Sequence, residues 1–478
     1  MGKDLPNTWV EIQTGDVSVI IRGVTYKKTD ASTIHFENSV LILRGGNIQD
    51  GKINLKSDSV YVNNSIVKDI QKIKKGDVII VGSTGSKKLI GKAAICDKDE
   101  SEISFGAFLT LLRPSKLIAP RYFDYYFLTD FYRNEIRNLA GGININNIKR
   151  EHLEQLLFPL PPLPEQNRIV EKLDVLFGHL EQIKSRLDNV PALLKNFRQA
   201  VLNQAVTGKL TEEWRVGRKL EEWNDIILKD FTEIDVGPAF KSAEFEDAGI
   251  RLLRGENIEP GSLRWNNTVY FPKEKLQKYN HLFIEKGDVI LAMDRPIIST
   301  GLKLAKAKKE DLPCVLVQRV ARFRPSEKLS SGYLYFLISS DSYIKHLFGE
   351  QTGTQIPHIS SKQILSFNCR LPNIEEQQEI VDRIESLFAK ADKIEQQYQN
   401  LKEKIDNLPQ SILAKAFKGE LVEQLPTDGD ARELLAEIEK AKAELSKTAK
   451  PKRGKTRKIK GDEDGRMVAE PKGRYGKK

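Results

Sequence analysis

Residues 82–92, Gly-Ser-Thr-Gly-Ser-Lys-Lys-Leu-Ile-Gly-Lys, carry the glycines, hydroxyls and lysines with which a loop can cradle phosphate. As a nucleotide-binding loop the stretch fails on spacing. The pattern requires glycine where Ser86 stands, and Ala93 replaces the hydroxyl that would hold magnesium. What remains is a polar loop in which Ser83, Thr84, Ser86, Lys87 and Lys88 suit phosphate oxygens and base edges. Two further loops offer similar chemistry: Asn144, Asn146 and Asn147 follow Gly141-Gly142, and Thr352, Gln355 and His358 follow a second glycine-containing turn. Amide side chains of this kind can pair bidentately with adenine in a major groove. Arg44 with Asn47, Arg254 with Asn257, and Arg295 are candidates of the same type for DNA binding. Each of these residues can equally be read as a turn cap or a surface ion-pair partner.

No signature of catalysis accompanies these loops. No His/Glu pair has metal-ligand spacing, and no Ser or Cys sits in a nucleophile elbow. The chain also lacks the Asn-Pro-Pro-aromatic run with which amino-methyltransferases hold a flipped base, since Leu160-Pro161-Pro162-Leu163 has neither the amide nor the aromatic. The expectation is a binding protein without catalytic residues, metal or cofactor of its own.

The loops recur. A shift of 211 residues carries Lys75-Gly76-Asp77-Val78-Ile79 onto Lys286-Gly287-Asp288-Val289-Ile290, Arg113-Pro114 onto Arg324-Pro325, and Gly142 onto Gly353. Arg44-Gly45-Gly46-Asn47-Ile48 recurs as Arg254-Gly255-Glu256-Asn257-Ile258 with a one-residue slip. The chain is therefore a tandem duplication. Each copy alternates short β-like runs, such as residues 40–43 and 78–81, with Gly, Asn and Asp turns. The clearest helical stretches there are residues 121–139 and 332–348, and an α+β domain is expected. Each domain leaves through a proline-rich connector, residues 158–164 and 370–373, predicted to be stiff.

Behind each connector lies an apolar seam with steps alternating between three and four. In the first copy it is Ile169, Leu173, Leu176, Leu180, Ile183 and Leu187, continuing to Val201. In the second it is Ile380, Ile384, Leu387, Ala391, Ile394, Tyr398 and Leu401, continuing to Ile412. A narrow stripe cannot bury itself, so the two long helices are expected to pack together as an antiparallel coiled-coil spacer. Pro191 and Pro409 should each kink or restart a helix, leaving uninterrupted pieces over 165–189 and 375–407. Gly208 and Gly419 are predicted caps, and a last helix is predicted over 431–445.

With 478 residues and 40% hydrophobic content, the chain can build at least two cores. The net charge of +10 sits almost entirely in residues 446–478, so bulk charge does not argue for nucleic-acid binding by the domains. That tail is expected to be disordered. Three cysteines without metal-like spacing point to a reducing compartment, and no apolar run is long enough to span a membrane, so a cytoplasmic protein is expected.

The stretch Phe158-Pro159-Leu160-Pro161-Pro162-Leu163-Pro164-Glu165-Gln166, the seam behind it and the closing Thr207-Gly208-Lys209-Leu210 resemble the helical region of type I restriction-modification specificity subunits. The Arg44-Gly45-Gly46-Asn47 and Lys75-Gly76-Asp77 motifs, with their repeats, are similar to the family's target recognition domains. The resemblance implies two tandem α/β target recognition domains separated by the helices: a first domain over 1–162, a helical spacer over 163–208, a second domain over 209–373, a second spacer over 374–445 and the tail over 446–478. It also implies a non-catalytic subunit that reads double-stranded DNA and binds two methyltransferase subunits and, through them, restriction and translocase subunits. S-adenosylmethionine, ATP and Mg2+ would belong to those partners. A fused pseudo-dimer with diverged loops should read two unlike half-sites, where a homodimer reads a palindrome. The competing expectation is a coiled-coil scaffold that joins two globular domains without touching DNA.

Overall fold

The structure, a computed structural model, describes residues 5–49, 51–55, 59–140, 146–349 and 358–448. It divides into two compact units, residues 1–179 with 407–478 and residues 180–406. The duplication is carried through to the strand registers. In the first unit an antiparallel sheet orders Ala93–Ile95, Val78–Val81, Leu109–Pro114 and Ser18–Arg22. In the second, Leu304–Lys306, Val289–Ala292, Val320–Pro325 and Thr232–Val236 occupy the same order. The pair Ile79 and Leu111 in one sheet answers to Ile290 and Arg322 in the other, an offset of 211 on both strands. Every residue of Val78–Val81 and Val289–Ala292 is buried, as a continuous apolar run in a central strand requires. A second sheet in each unit pairs Ile103–Phe105 with Ser39–Leu43, or Cys314–Leu316 with Ile250–Leu253, in parallel.

The Lys-Gly-Asp motif ties these sheets to the turn that feeds them. Asp77 accepts from the Lys74 amide (2.7 Å) and takes a two-point hydrogen bond from Arg113, whose guanidinium also reaches the carbonyl of Lys72. Asp288 accepts from the Glu285 amide (2.9 Å), but its arginine is Arg322, which is fully buried and reaches the carbonyls of His281 and Phe283. Arg322 stands two residues before the position that the 211 shift predicts, on the same face of its strand.

Three expectations are corrected. The connectors are partly strand: Leu157–Leu160 pairs with Val10–Gln13, and Asn368–Leu371 with Asn224–Ile227, both antiparallel. The helical stretches break in two, into Pro120–Tyr126 and Asp130–Leu139, and Ser331–Ile338 and Asp341–Phe348. Thr129 and Ser340 cause the breaks by accepting from the amides of Tyr132 and Tyr343 and so starting new helices. Finally, Pro409 does not interrupt its helix. The first arm does restart, as Leu163–Leu187 and Val190–Val206, but the second runs unbroken over Ile374–Phe417, 44 residues or about 66 Å. Burial of Ile405 before the proline and of Leu413, Ala416 and Phe417 after it holds the turns that a missing N–H would otherwise loosen.

The seam is only half buried. Ile169, Leu173, Leu180, Ile380, Ile384 and Tyr398 are buried and Leu176, Leu187 and Leu387 partly so, whereas Ile183 (40%), Ile394 (49%) and Leu401 (44%), expected on the packed seam, are exposed. Within the first unit the seam residues Ile169 and Leu173 share a core with Leu413, Ala416 and Phe417. Within the second, Val201 and Leu202 share one with Ile380 and Ile384, and the ion pairs Lys184–Asp406 and Arg198–Asp392 show that the segments run antiparallel. Gly208 and Gly419 cap their helices with left-handed φ of 79° and 75°. An added Cβ would press on the Trp223 ring at Gly208 and clash with the Pro6 ring at Gly419. The predicted last helix runs over Ala431–Thr448, and the rest of the tail lies outside the described residues.

The Glu-Gln pair in the first turn of each long helix is fully buried, which charge placement near the helix dipole does not explain. Glu165 accepts from Trp9 Nε1 (2.9 Å) and Gln424 Nε2 (3.0 Å), and Gln166 accepts from the Ala119 amide and donates to the Pro161 carbonyl. In the second unit Glu376 accepts from Trp223 Nε1 (3.0 Å) and Thr211 Oγ1 (2.7 Å) and pairs with Arg215, while Gln377 accepts from the Ser330 amide and donates to the Pro372 carbonyl. Glu376→Ala leaves the buried Trp223 indole N–H and the Thr211 hydroxyl without their acceptor, so it should cost about 1–3 kcal/mol in urea unfolding of the second unit.

One buried carboxylate lacks such support. Asp124 is 2% exposed, its Oδ1 has no partner among the described residues, and burial with the nearby Asp77 and Asp174 pushes its pKa up to about 7 against the pull of Arg121. Because the folded value lies above the ordinary 3.8, stability should fall as pH rises between about 4 and 7. Asp124→Asn should therefore raise the melting temperature at pH 8 and leave it unchanged at pH 4, by calorimetry at both.

Candidate nucleic-acid interface

Several of the sequence candidates prove to be structural. Asn47 is buried and accepts from the Arg44 amide (2.7 Å) while donating to the Asn54 carbonyl (2.8 Å). Asn257 does the same with the Arg254 amide (3.0 Å) and the Arg264 carbonyl (3.0 Å). Both amides are spent on closing a turn, so neither is available to a base. Asn146 is buried against the Thr84 carbonyl. Asn144, Thr352 and Gln355 lie outside the described residues.

Other candidates come together. In the first unit Ser83 and Thr84 form a short strand paired with Asn146 and Asn147, so the hydroxyl-rich loop and the asparagine loop are one polar edge. Ser86 Nα–H donates to Thr84 Oγ1, Arg133 holds the carbonyls of Lys88 and Ile90, and the side chains of Lys87 and Lys88 stay exposed. In the second unit the equivalent bridge joins Asp294 to His358, each 211 residues from Ser83 and Asn147. The backbone frame is the same in both. Ile148 N–H donates to the Gly82 carbonyl (2.8 Å) and Gly82 N–H to Phe108 (2.9 Å), while Ile359 donates to Met293 (2.9 Å) and Met293 to Arg319 (2.9 Å).

On that common frame the side chains differ in kind. The first unit presents Ser83, Asn147 and an exposed Phe108 (48%). The second presents Asp294 with His358 Nδ1 at 2.9 Å and Arg319 Nη1 at 2.6 Å. Partial burial raises the Asp294 pKa, but hydrogen bonds from Arg319 and His358 outweigh it and hold the carboxyl below its usual range. Arg295 and Arg319 take left-handed φ of 42° and 61°, a strained backbone for a side chain of that size. Sequence reasoning missed Phe108, Asp294 and Arg319. Applying the 211 shift to Ser83 would have flagged Asp294, but only the sheet brings residues 108 and 319 to the same edge.

Arg254, Glu256, Asp294, Arg295, Lys303 and Arg319 line a cleft of about 670 Å³ beside this edge. Arg254 pairs with Glu256 and donates to the Asn267 carbonyl, whereas Arg295 and Lys303 make no ion pair among the described residues. Burial pushes the Lys303 pKa down, although Glu259 and Glu256 oppose the shift. The cleft thus carries an excess of donors suited to an anionic, acceptor-rich ligand.

A family model described as type I restriction modification DNA specificity domain matches residues 6–191 and again 220–403. The type I restriction enzyme EcoKI specificity subunit of Escherichia coli (strain K12) is 36% identical over 430 residues, covering 88% of this chain and 90% of that one. The StySPI specificity subunit of Salmonella potsdam is 35% identical over 426 residues, with the same coverage. The crystal structure of the HsdS subunit from Thermoanaerobacter tengcongensis shares the fold, with a TM-score of 0.61 at 19% identity over 88% of this chain and 99% of that one. With both repeats matched in register and the relatives aligned almost end to end, the chain belongs to the type I restriction-modification DNA specificity subunits.

Proposed function

We propose that this specificity subunit reads an asymmetric, two-part target on double-stranded DNA, one half with each unit, and that its helices act as spacer and as docking surface for two methyltransferase subunits. Restriction and translocase subunits join through that complex. S-adenosylmethionine, ATP and Mg2+ serve the partners, and this chain contributes recognition without chemistry. It works in the cytoplasm, beside the chromosome; among the described residues no helix is long and apolar enough to cross a membrane.

The observation that carries the proposal is the divergence of side chains on a shared backbone frame: Ser83, Phe108 and Asn147 against Asp294, Arg319 and His358. Identical heads would meet identical half-sites; unlike heads on like scaffolds favour unlike ones. Co-expression with the cognate methyltransferase and genome-wide mapping of modified adenines should return a split, non-palindromic motif with a fixed gap. Replacing residues 83–88 with a relative's loop should change one half of that motif only. A scaffold that never touches DNA predicts no change in either half.

Docking is supported by the exposed half of the seam. Ile394, Leu401 and Leu408 recur every seven residues with more than two-fifths of their surface exposed, and on the other arm Ile183 and Phe197, two heptads apart, are each 40% exposed. A heptad stripe open to water suits a partner helix. Leu401→Glu should therefore abolish co-purification of the methyltransferase while leaving the melting temperature of the free subunit within about 2 °C, since a surface change of this kind is worth about 0.5 kcal/mol or less.

A further inference from the structure

We infer that one three-residue position in each unit sets the base preference of its half-site, and that in the second unit Arg319, buttressed by Asp294, reads guanine. The inference rests on the DNA-reading function proposed above and specifies its chemistry.

The position is defined by backbone hydrogen bonds in which its side chains take no part. Two cross-strand hydrogen bonds fix residues 82, 108 and 148 in one unit and residues 293, 319 and 359 in the other, at an offset of 211 throughout. Ser83, Phe108 and Asn147 thereby stand where Asp294, Arg319 and His358 stand.

Arg319 is built to present its guanidinium. Its side chain is 63% exposed, yet Nη1 is held by Asp294 at 2.6 Å, and Nε and Nη2 have no partner among the described residues. A guanidinium pinned at one edge keeps its plane and aims the remaining donors, the arrangement that matches the O6 and N7 acceptors of guanine in a major groove. Asp294 is a positioning residue here. Its second oxygen already faces His358 Nδ1 at 2.9 Å, so the carboxylate is occupied on both sides. The backbone at Arg319 is left-handed, and its carbonyl accepts from the Met293 amide. In the first unit the same place holds an exposed Phe108, which has no donor and suits the methyl group of thymine.

The test uses the chain in complex with its methyltransferase partner and a library of DNA duplexes in which every target position varies. Arg319→Ala should cost about 5- to 150-fold in discrimination at one G·C pair of one half-site and nothing in the other half. Arg319→Lys should lose the same discrimination because it keeps the charge without the fork. Asp294→Asn should weaken preference at that pair alone, and its combination with Arg319→Ala should match Arg319→Ala by itself. The transplant Ser83→Asp, Phe108→Arg, Asn147→His should add a guanine requirement to the opposite half. Melting curves identify any variant that misfolds, and the lysine variant and the transplant then decide. The inference is overturned if Arg319→Ala lowers methylation uniformly across all sequences, as a phosphate contact would, or if the target is unchanged. Either result leaves DNA reading intact, whereas DNA reading itself fails if exchanging the whole 83–88 loop alters neither half.

Discussion

Each unit hangs on a buried carboxylate. Glu165 and Glu376 have no exposed surface, and a carboxylate in that position is tolerable only with its oxygens satisfied. The tryptophan ahead of the first strand supplies one donor in both units, which locks the entry of the recognition domain to the first turn of the helix that leaves it. The remaining donors differ. Glu165 has only neutral partners, and burial pushes its pKa up; Glu376 faces Arg215 across 3.3 Å. The geometry is held constant while the charge balance has drifted, because the indole N–H fixes direction and any further donor completes the count.

The polar edge obeys the opposite rule. There the backbone is fixed by carbonyl and amide groups, which every residue type carries, and no side chain takes part in those bonds. Phe108 and Arg319 make this plain: each contributes its carbonyl to the frame, and the side chain beyond it goes from an aromatic ring to a guanidinium. The side chain at this place can therefore change without disturbing the hydrogen bonds that hold it. The strained φ at Arg295 and Arg319 is confined to this edge and to its cleft, where a rigid presentation has a use.

Much of the scaffold was legible in the sequence. The 211-residue period foretold two copies of one architecture and the glycine caps, because these depend on local patterns that the backbone reads directly. The seam was legible as a helix but not as a surface: periodicity tells which residues share a stripe, and only tertiary neighbours decide that Tyr398 is covered while Leu401 is not. Pro409 misled for a similar reason, since burial on either side outweighs one lost hydrogen bond. At the candidate site, Asn47 and Asn257 look like readers in the sequence because turn caps and base contacts draw on the same amide chemistry. Burial separates the two roles, and burial is not written in a single chain.

The two arginines of the Lys-Gly-Asp motif show how far the scaffold itself can move. Arg113 and Arg322 both reach the motif aspartate and the carbonyls of the turn before it from strand positions two residues apart in the repeat, although Arg322 sits closer to Asp235 (2.5 Å) than to Asp288 (3.4 Å). A step of two keeps a side chain on one face of a strand, and a long guanidinium spans the difference. A step of one would turn the charge into the opposite layer, against the apolar core. The aspartate has no such latitude, because its carboxylate also caps the turn through an amide three residues back. The period in the sequence is therefore sharpest at residues bound to backbone from two sides, such as Asp77 and Asp288, and blurred where reach can compensate for register. It fades at the polar edge, where Ser83, Phe108 and Asn147 answer to Asp294, Arg319 and His358 on the same backbone hydrogen bonds.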